Sequence, residues 1–372
     1  MSCNKVLLGP YIEQIDRRNS KLEYGVEDVM GITNTKVLME TKARPEYADL
    51  SKFYILEPGE FIYNPRTSRN GEKVGMAYND TKHNILFTFN NIPFRIKPES
   101  RDYLDPDYLY LFFLNPEFDR YARYNSWGSA TELFPWEEMC RVSIPIPFIS
   151  EQRKIVHNYK VITNRIELLR KINKTLVDIA MQEFEHFTSV SNGEWMGGKL
   201  KDIVYLTRNA IKAENVGTLP YLPIDEIPSN ELLIDSFRPS DEAQSSLITF
   251  DENDILIGAM RVYFHRVAIA PCKGVTRTTC FVLKPFDKDY LYYALLLCNM
   301  DSTIDYANST SQGTTMPYAI WENGLGDMPI IYPDKKSLGE FNKTVNTIFD
   351  SIYLYTKEIS QLTQLLKCIG SV

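Results

Sequence analysis

No apolar run in this sequence approaches the ~20 residues that a membrane-crossing helix needs, and the first residues, MSCNKVLLGPYIEQIDRR, hold too short an apolar stretch for a secretory signal. A cytoplasmic protein with no membrane partner is therefore expected. Cysteine is scarce: Cys3, Cys140, Cys272, Cys280, Cys298 and Cys368 form no CxxC pair, and no histidine stands at metal-ligand spacing from them. They are expected to be reduced and structural, with no metal site. The four histidines, His83, His157, His186 and His265, are too scattered for a catalytic set. No glycine-rich phosphate loop occurs, and no GxGxxG opens a helix. Asn64-Pro65-Arg66 and Asn115-Pro116-Glu117 each lack the second proline and the aromatic residue with which an amino-methyltransferase stacks a flipped base. No set of spaced carboxylates with lysine suggests a nuclease. Positive charge is also in deficit, with 41 Lys and Arg against 48 Asp and Glu, a net −7. This argues against indiscriminate nucleic-acid binding over the whole surface.

What the chain does have is two long apolar ladders. From Ser150 to Phe187 no glycine or proline intervenes, and Ile155, Tyr159, Ile162, Ile166, Leu169, Ile172, Leu176 and Ile179 recur at steps of three and four. A second ladder closes the chain: Leu338, Phe341, Val345, Ile348, Ile352, Tyr355, Ile359, Leu362, Leu366 and Ile369. Such spacing places one stripe along each helix. Neither helix can bury its stripe alone, so the two are expected to pair antiparallel, with the intervening domain folded back beside them.

The segments before the two ladders repeat one another. LKDIVYLTRNAIK follows the plan of LLGPYIEQIDRRNSK, and FDENDILIGAMR at 250–261 that of LEPGEFIYNPR at 56–66. DYLYYALLLCN at 289–299 answers DYLYLFFLNPE at 107–117. The stretch 312–333 answers 127–148. Four segments in one order define a repeat of domain plus long helix. The expected boundaries are a first domain at 1–149, a helix at 150–189, a Gly-rich linker at 190–198, a second domain at 199–334 and a second helix at 335–370.

Each domain holds a locally basic window despite the overall negative charge. Arg66, Arg69, Lys73, Lys82, Arg95 and Lys97 lie among only Glu72 and Asp80. Arg261, Arg266, Lys273, Arg277 and Lys284 lie in a stretch with no carboxylate. Arginine can grip guanine edges with two hydrogen bonds, while lysine holds phosphates. The candidate DNA-contacting residues are Asn64, Arg66, Ser68, Arg69, Asn70 and Lys73 in the first domain. In the second they are Arg261, Tyr263, His265, Arg266, Thr276 and Arg277. Thr131, Thr314 and Thr315, near the repeated glycine, complete the set.

The sequence resembles the DNA-specificity subunits of type I restriction-modification systems over nearly its whole length. The resemblance is carried by IPIPFISEQRKIV at 144–156, the RKIN centre at Arg170–Asn173, and the glycine-to-tryptophan segments at 128–136 and 313–321. The second copy departs from it, with Asp334-Lys335-Lys336 where Glu-Gln-Arg would stand. The resemblance implies an α+β fold: two repeated mixed α/β target-recognition domains separated by two long helices packed as an antiparallel coiled coil. Each domain would read one half of a split site in double-stranded DNA, with helix length as the ruler for the unread gap. Two methyltransferase subunits would dock, with restriction subunits joining them. The chain itself would be non-catalytic and bind no cofactor, S-adenosylmethionine, ATP and Mg belonging to its partners. The alternatives are a recognition subunit of a methylation-only defence system, and a coiled-coil adaptor that binds proteins and not DNA. The repeated basic windows argue against the adaptor.

Overall fold

The structure, a computed structural model, describes residues 5–33, 35–41, 48–67, 73–128, 131–190, 194–234, 236–244 and 246–369. The chain divides into two compact units, residues 1–164 with 364–372, and residues 165–363. The first contains β1 (Lys5–Leu7), β2 (Ile12–Gln14), β3 (Met30–Ile32), β4 (Leu38–Glu40), β5 (Tyr54–Leu56), β6 (Phe61–Tyr63), β7 (Met76–Tyr78), β8 (Ile85–Phe87), β9 (Ile92–Ile96), α1 (Pro106–Leu114), α2 (Pro116–Tyr124), α3 (Trp136–Cys140) and β10 (Ser143–Pro145). Helix α4 (Ile149–Val190) begins there and ends in the second unit. The second unit continues with β11 (Trp195–Lys199), β12 (Val204–Thr207), β13 (Ala210–Ile211), β14 (Tyr221–Leu222), β15 (Leu247–Phe250), β16 (Ile255–Gly258), β17 (Val267–Ile269), β18 (Gly274–Arg277), β19 (Cys280–Pro285), α5 (Leu291–Cys298), α6 (Asp301–Ser309), β20 (Pro329–Pro333) and most of α7 (Lys335–Ile369). No described helix is long and apolar enough to cross a membrane.

The two units share one topology. The first has a sheet in the order β2-β9-β6-β7, and the second has β12-β19-β16-β17. Phe61 faces Phe94 and Tyr78 across its ladders, as Ile255 faces Leu283 and Ile269. A smaller antiparallel pair joins the start of each unit to its end, β1 with β10 and β11 with β20. The second unit adds a sheet in the order β13-β15-β18-β14. In the first unit the ladder of β5 with β8 occupies that place, and single bridges, Arg18 to Tyr54 and Val29 to Leu86, stand where β13 and β14 pair. The cores differ in filling. The first is aromatic, with Phe61 stacked on Phe94 at 5.1 Å and Phe113 edge-on to Phe118 at 4.7 Å. The second is largely aliphatic, around Leu283, Leu295 and Leu296.

Local chemistry sets the helix boundaries. Asp105 accepts hydrogen bonds from the amides of Asp107 and Tyr108, and Pro106 opens α1 where no amide is needed. Asn115 ends α1 and caps α2 by accepting from the Glu117 amide, with Pro116 again first.

Within the second unit, α4 and α7 pack antiparallel. Arg165 bonds Glu358, Asn173 bonds Thr356, and Phe187 stacks on Phe341, so numbering rises along one helix as it falls along the other. Ile166, Leu169, Ala180 and Phe184 of α4 are buried, as are Leu338, Phe341, Val345, Phe349, Ile352 and Ile359 of α7. Leu176 and Ile348 pack against this cluster, and Leu362 is half-buried. These helices do not form a rod apart from the domain: Tyr292 of α5 lies flat on Phe349 at 4.1 Å, in the same apolar core. Truncating a fully buried leucine such as Leu338 should cost ~2–5 kcal/mol.

Two expectations about the first ladder need correction. Ile179 is 44% exposed. The seam steps by four from Leu169 to Asn173, a polar residue that an apolar pattern passes over in favour of Ile172, and this rotates Ile179 outward. Ile155 packs with Val156 against the core of the first domain. Ile162 is half-buried.

Candidate nucleic-acid interface

After the central strand of each unit, β6 or β16, the chain is clasped by a tight loop, and the two clasps have the same hydrogen-bond register. In the first, Trp127 and Leu133 exchange backbone bonds of 3.0 and 2.9 Å. Leu133 bridges Arg66, the Phe134 amide donates to Pro65 O at 2.7 Å, and the Thr67 amide donates to Glu132 O at 3.1 Å. In the second, Gln312 and Tyr318 exchange two bonds of 2.9 Å. Tyr318 bridges Met260, the Ala319 amide donates to Ala259 O at 2.8 Å, and the Arg261 amide donates to Pro317 O at 2.7 Å. Structurally, Met260 therefore takes the place of Arg66, and Arg261 that of Thr67, one residue off the apparent sequence match. Glycine turns both loops. Gly128 has φ +147, and a Cβ there would meet Thr131 O at 2.0 Å; Gly313 has φ +91. Both are left-handed conformations that a side chain disfavours.

A buried carboxylate stands just before each central strand, at the end away from the clasp. Glu60 accepts from the Glu57 amide and Asp254 from the Asp251 amide, each at 2.7 Å. Glu60 also accepts from Arg17 at 2.7 Å, a bond that raises the arginine's pKa. Burial pushes the Asp254 carboxyl up, while the hydrogen bond from Lys284 holds its half-buried neighbour Asp251 down.

These carboxylates consume part of the basic windows. Lys284 lies 2.6 Å from Asp251 and 3.4 Å from Asp254, and Lys273 lies 3.6 Å from Asp251. Arg95 pairs with Glu13 at 2.8 Å, and Lys97 donates to Pro10 O. They brace the sheets. Arg66, Lys73 and Arg277, by contrast, are exposed and in no ion pair among the described residues.

The remaining predicted contacts divide the same way. Thr276 is fully buried, and its hydroxyl donates to Leu222 O at 2.7 Å, so it belongs to the interior of the β18 sheet. Arg266 is a tether, donating through Nη1 to the carbonyls of Ile224 and Ile227. His265 is 12% exposed, with Nε2 3.0 Å from Asn299 O and Nδ1 3.2 Å from Asp301. Its ring is held within the fold and is not presented to a ligand. Asn64 accepts from the Arg66 amide at 3.0 Å and shapes the turn that presents Arg66. Ser68, Arg69 and Asn70 lie outside the described residues. Thr131, Thr314, Thr315 and Tyr263 are exposed on or beside the clasps, and Arg261 is half-buried at the clasp itself. Sequence reasoning missed the apolar part of this edge. Trp127 is 65% exposed, Phe264 43%, Met316 50% and Tyr318 46%. Trp127 and Tyr318 could have been found through the repeated glycine they flank.

Each edge thus offers arginine, threonine hydroxyls and aromatic rings, a set suited to base edges and base faces. Among the described residues, no group of three or more His, Cys, Asp or Glu is placed to hold a metal ion.

Residues 13–177 match the family described as Type I restriction modification DNA specificity domain. The type I restriction enzyme MjaIX specificity subunit of Methanocaldococcus jannaschii is 24% identical over 302 residues, 71% of this chain and 67% of that protein. Among solved structures, the type-I restriction-modification system S subunit from M. genitalium aligns with a TM-score of 0.54 at 14% identity, covering 100% of this chain and 95% of that one. At that identity the likeness is one of fold.

Proposed function

We propose, from the chain's likeness to the type I restriction-modification specificity family, that it is the sequence-reading subunit of a restriction-modification complex and recognises a bipartite site in double-stranded DNA. Each domain reads one half-site through its clasp edge. Arg66, Lys73 and Thr131 serve the first half, and Arg261, Tyr263, Arg277, Thr314 and Thr315 the second. Arginine and threonine contact base edges, while Lys73 holds phosphate. The chain carries no catalysis of its own. It docks two methyltransferase subunits, with restriction subunits joining, and those partners hold S-adenosylmethionine, ATP and Mg.

The observation that supports this reading most is the recurrence of one clasp, in one hydrogen-bond register, in both domains. A protein-binding adaptor has no need for two equivalent loops with exposed arginine and threonine. The test is to co-express the chain with its methyltransferase subunit and map methylated bases across the host genome. A single motif of two short specified halves with a constant gap is expected. A continuous motif, or methylation without sequence preference, refutes the proposal.

A further inference from the structure

Resting on that reading, we infer that Tyr263 and Phe264 form an aromatic wedge that inserts at a base step of the half-site read by the second domain. The two rings lie 4.9 Å apart at 55° and are 48% and 43% exposed. Neighbouring exposed aromatics lose the stabilisation that burial would give, and a fold that holds them outward calls for an occupant.

The segment carrying them is fixed at both ends. Arg261 and His265 have φ of +51 and +50, an uncommon conformation for residues with side chains, so a single short turn is bracketed by two strained positions. Surrounding bonds hold that strain. The Arg261 amide is bound to Pro317 O, the Phe264 amide to Arg261 O and the His265 amide to Val262 O. Val262 is buried beneath the turn. The His265 ring is clamped by Asn299 and Asp301, and Arg266 is tied to Ile224 and Ile227. The rings are therefore presented without the ordering cost a flexible loop would incur on binding.

Charge favours nucleic acid as the occupant. No Asp or Glu occurs between Arg261 and Lys284. The Arg266 guanidinium lies 5.8 Å from the Phe264 ring centre, and Arg261 lies at the root of the turn. The carboxylate of Asp301 is the opposing charge, and it lies against His265. Apolar side chains inserted at a base step unstack and kink a duplex, and aromatic stacking on a base tolerates many sequences. Phe264, which has no hydrogen-bonding group, then has a role that edge recognition cannot provide.

The test uses the full chain assembled with its methyltransferase subunits, and duplexes of the mapped site with 2-aminopurine at successive positions. Emission should rise at one step of the second-domain half-site on binding. The double variant Tyr263→Ala/Phe264→Ala should abolish the rise and weaken binding about tenfold or more. Tyr263→Phe should retain both. Phe264→Leu, which keeps an apolar wedge but no ring to stack, should retain much of the rise and bind more weakly than wild type, while leaving the first half-site's preference intact. Unchanged emission and affinity in the double variant overturn the inference. So does loss of the methyltransferase subunits with the DNA signal retained, which would make the patch a protein contact. If the wild-type complex methylates no bipartite site, the proposed function fails as well, and that outcome is separable because it appears before any variant is made.

Discussion

Replacing Gln152 with alanine removes three hydrogen bonds from a fully buried site. The Gln152 amide donates to Tyr103 O and to Pro147 O at 2.7 Å each, and its carbonyl accepts from the Asp105 amide at 2.9 Å. The side chain is wholly inaccessible to solvent. It therefore joins the first turn of α4 to the cap of α1, because Asp105 is the residue that holds the first amides of that helix. Three bonds at ~1 kcal/mol each, plus the penalty for orphaned carbonyls and an orphaned amide, put the loss at about 3–5 kcal/mol. Gln152→Glu should do no better, since a carboxylate would face two carbonyl oxygens. Hydrogen exchange resolves the effect locally. The amides of 103–114 should exchange about a hundredfold faster in the alanine variant, a ratio matching roughly 3 kcal/mol. Exchange within a factor of three of wild type, together with an unshifted denaturant midpoint, would refute this role for the glutamine.

Three further outcomes are expected. Gly128→Ala should displace the first clasp, because a Cβ has no room beside Thr131 O; specificity at the first half-site should fall while the second is unaffected, as read by methylation mapping. The seam pair Asn173 and Thr356 makes one bond of 3.2 Å and leaves Asn173 Oδ1 buried without a partner. The double variant Asn173→Leu/Thr356→Val should therefore be neutral or stabilising by up to ~1 kcal/mol in a denaturation series, since removing both polar partners leaves no orphan. Asp327 accepts from Lys199 and Lys201 at 2.8 Å each, and these bonds hold its carboxyl below the ordinary 3.8. A depressed folded pKa means the tie acts fully above the unfolded value and is lost as pH falls below it. Acidification from about pH 5 to pH 3 should lower the wild-type denaturant midpoint, and Asp327→Asn should flatten that dependence.

The two helices and the repeat were legible because both are periodic. A stripe such as Leu338, Phe341, Val345 and Ile352 states its face by spacing alone, and β6 and β16 declare themselves through the matching turns before them. Asn173 was not legible, because a polar residue in a seam looks like a gap in an apolar pattern. Gln152 stood within a quoted motif, but its three partners lie up to 49 residues away, and only the fold brings them together. The basic windows were read correctly as charge and too broadly as surface. Arg95 finds its carboxylate on the neighbouring strand β2, Lys284 finds its own in the turn between β15 and β16, and Thr276 sits on the inward face of its strand. Phe264 patterns as a core residue, and nothing local to it says that its turn points it outward.

The pairing of one clasp with one half-site is tested most directly by the methylation map of the Arg277→Ala/Thr314→Ala/Thr315→Ala variant assembled with its methyltransferase subunits. All three side chains are exposed, so the fold should be unaffected. One half of the motif should degenerate, while the other half and the gap between them stay as in wild type. Degeneration of both halves together, or of neither, would contradict the assignment of one reading edge to each domain.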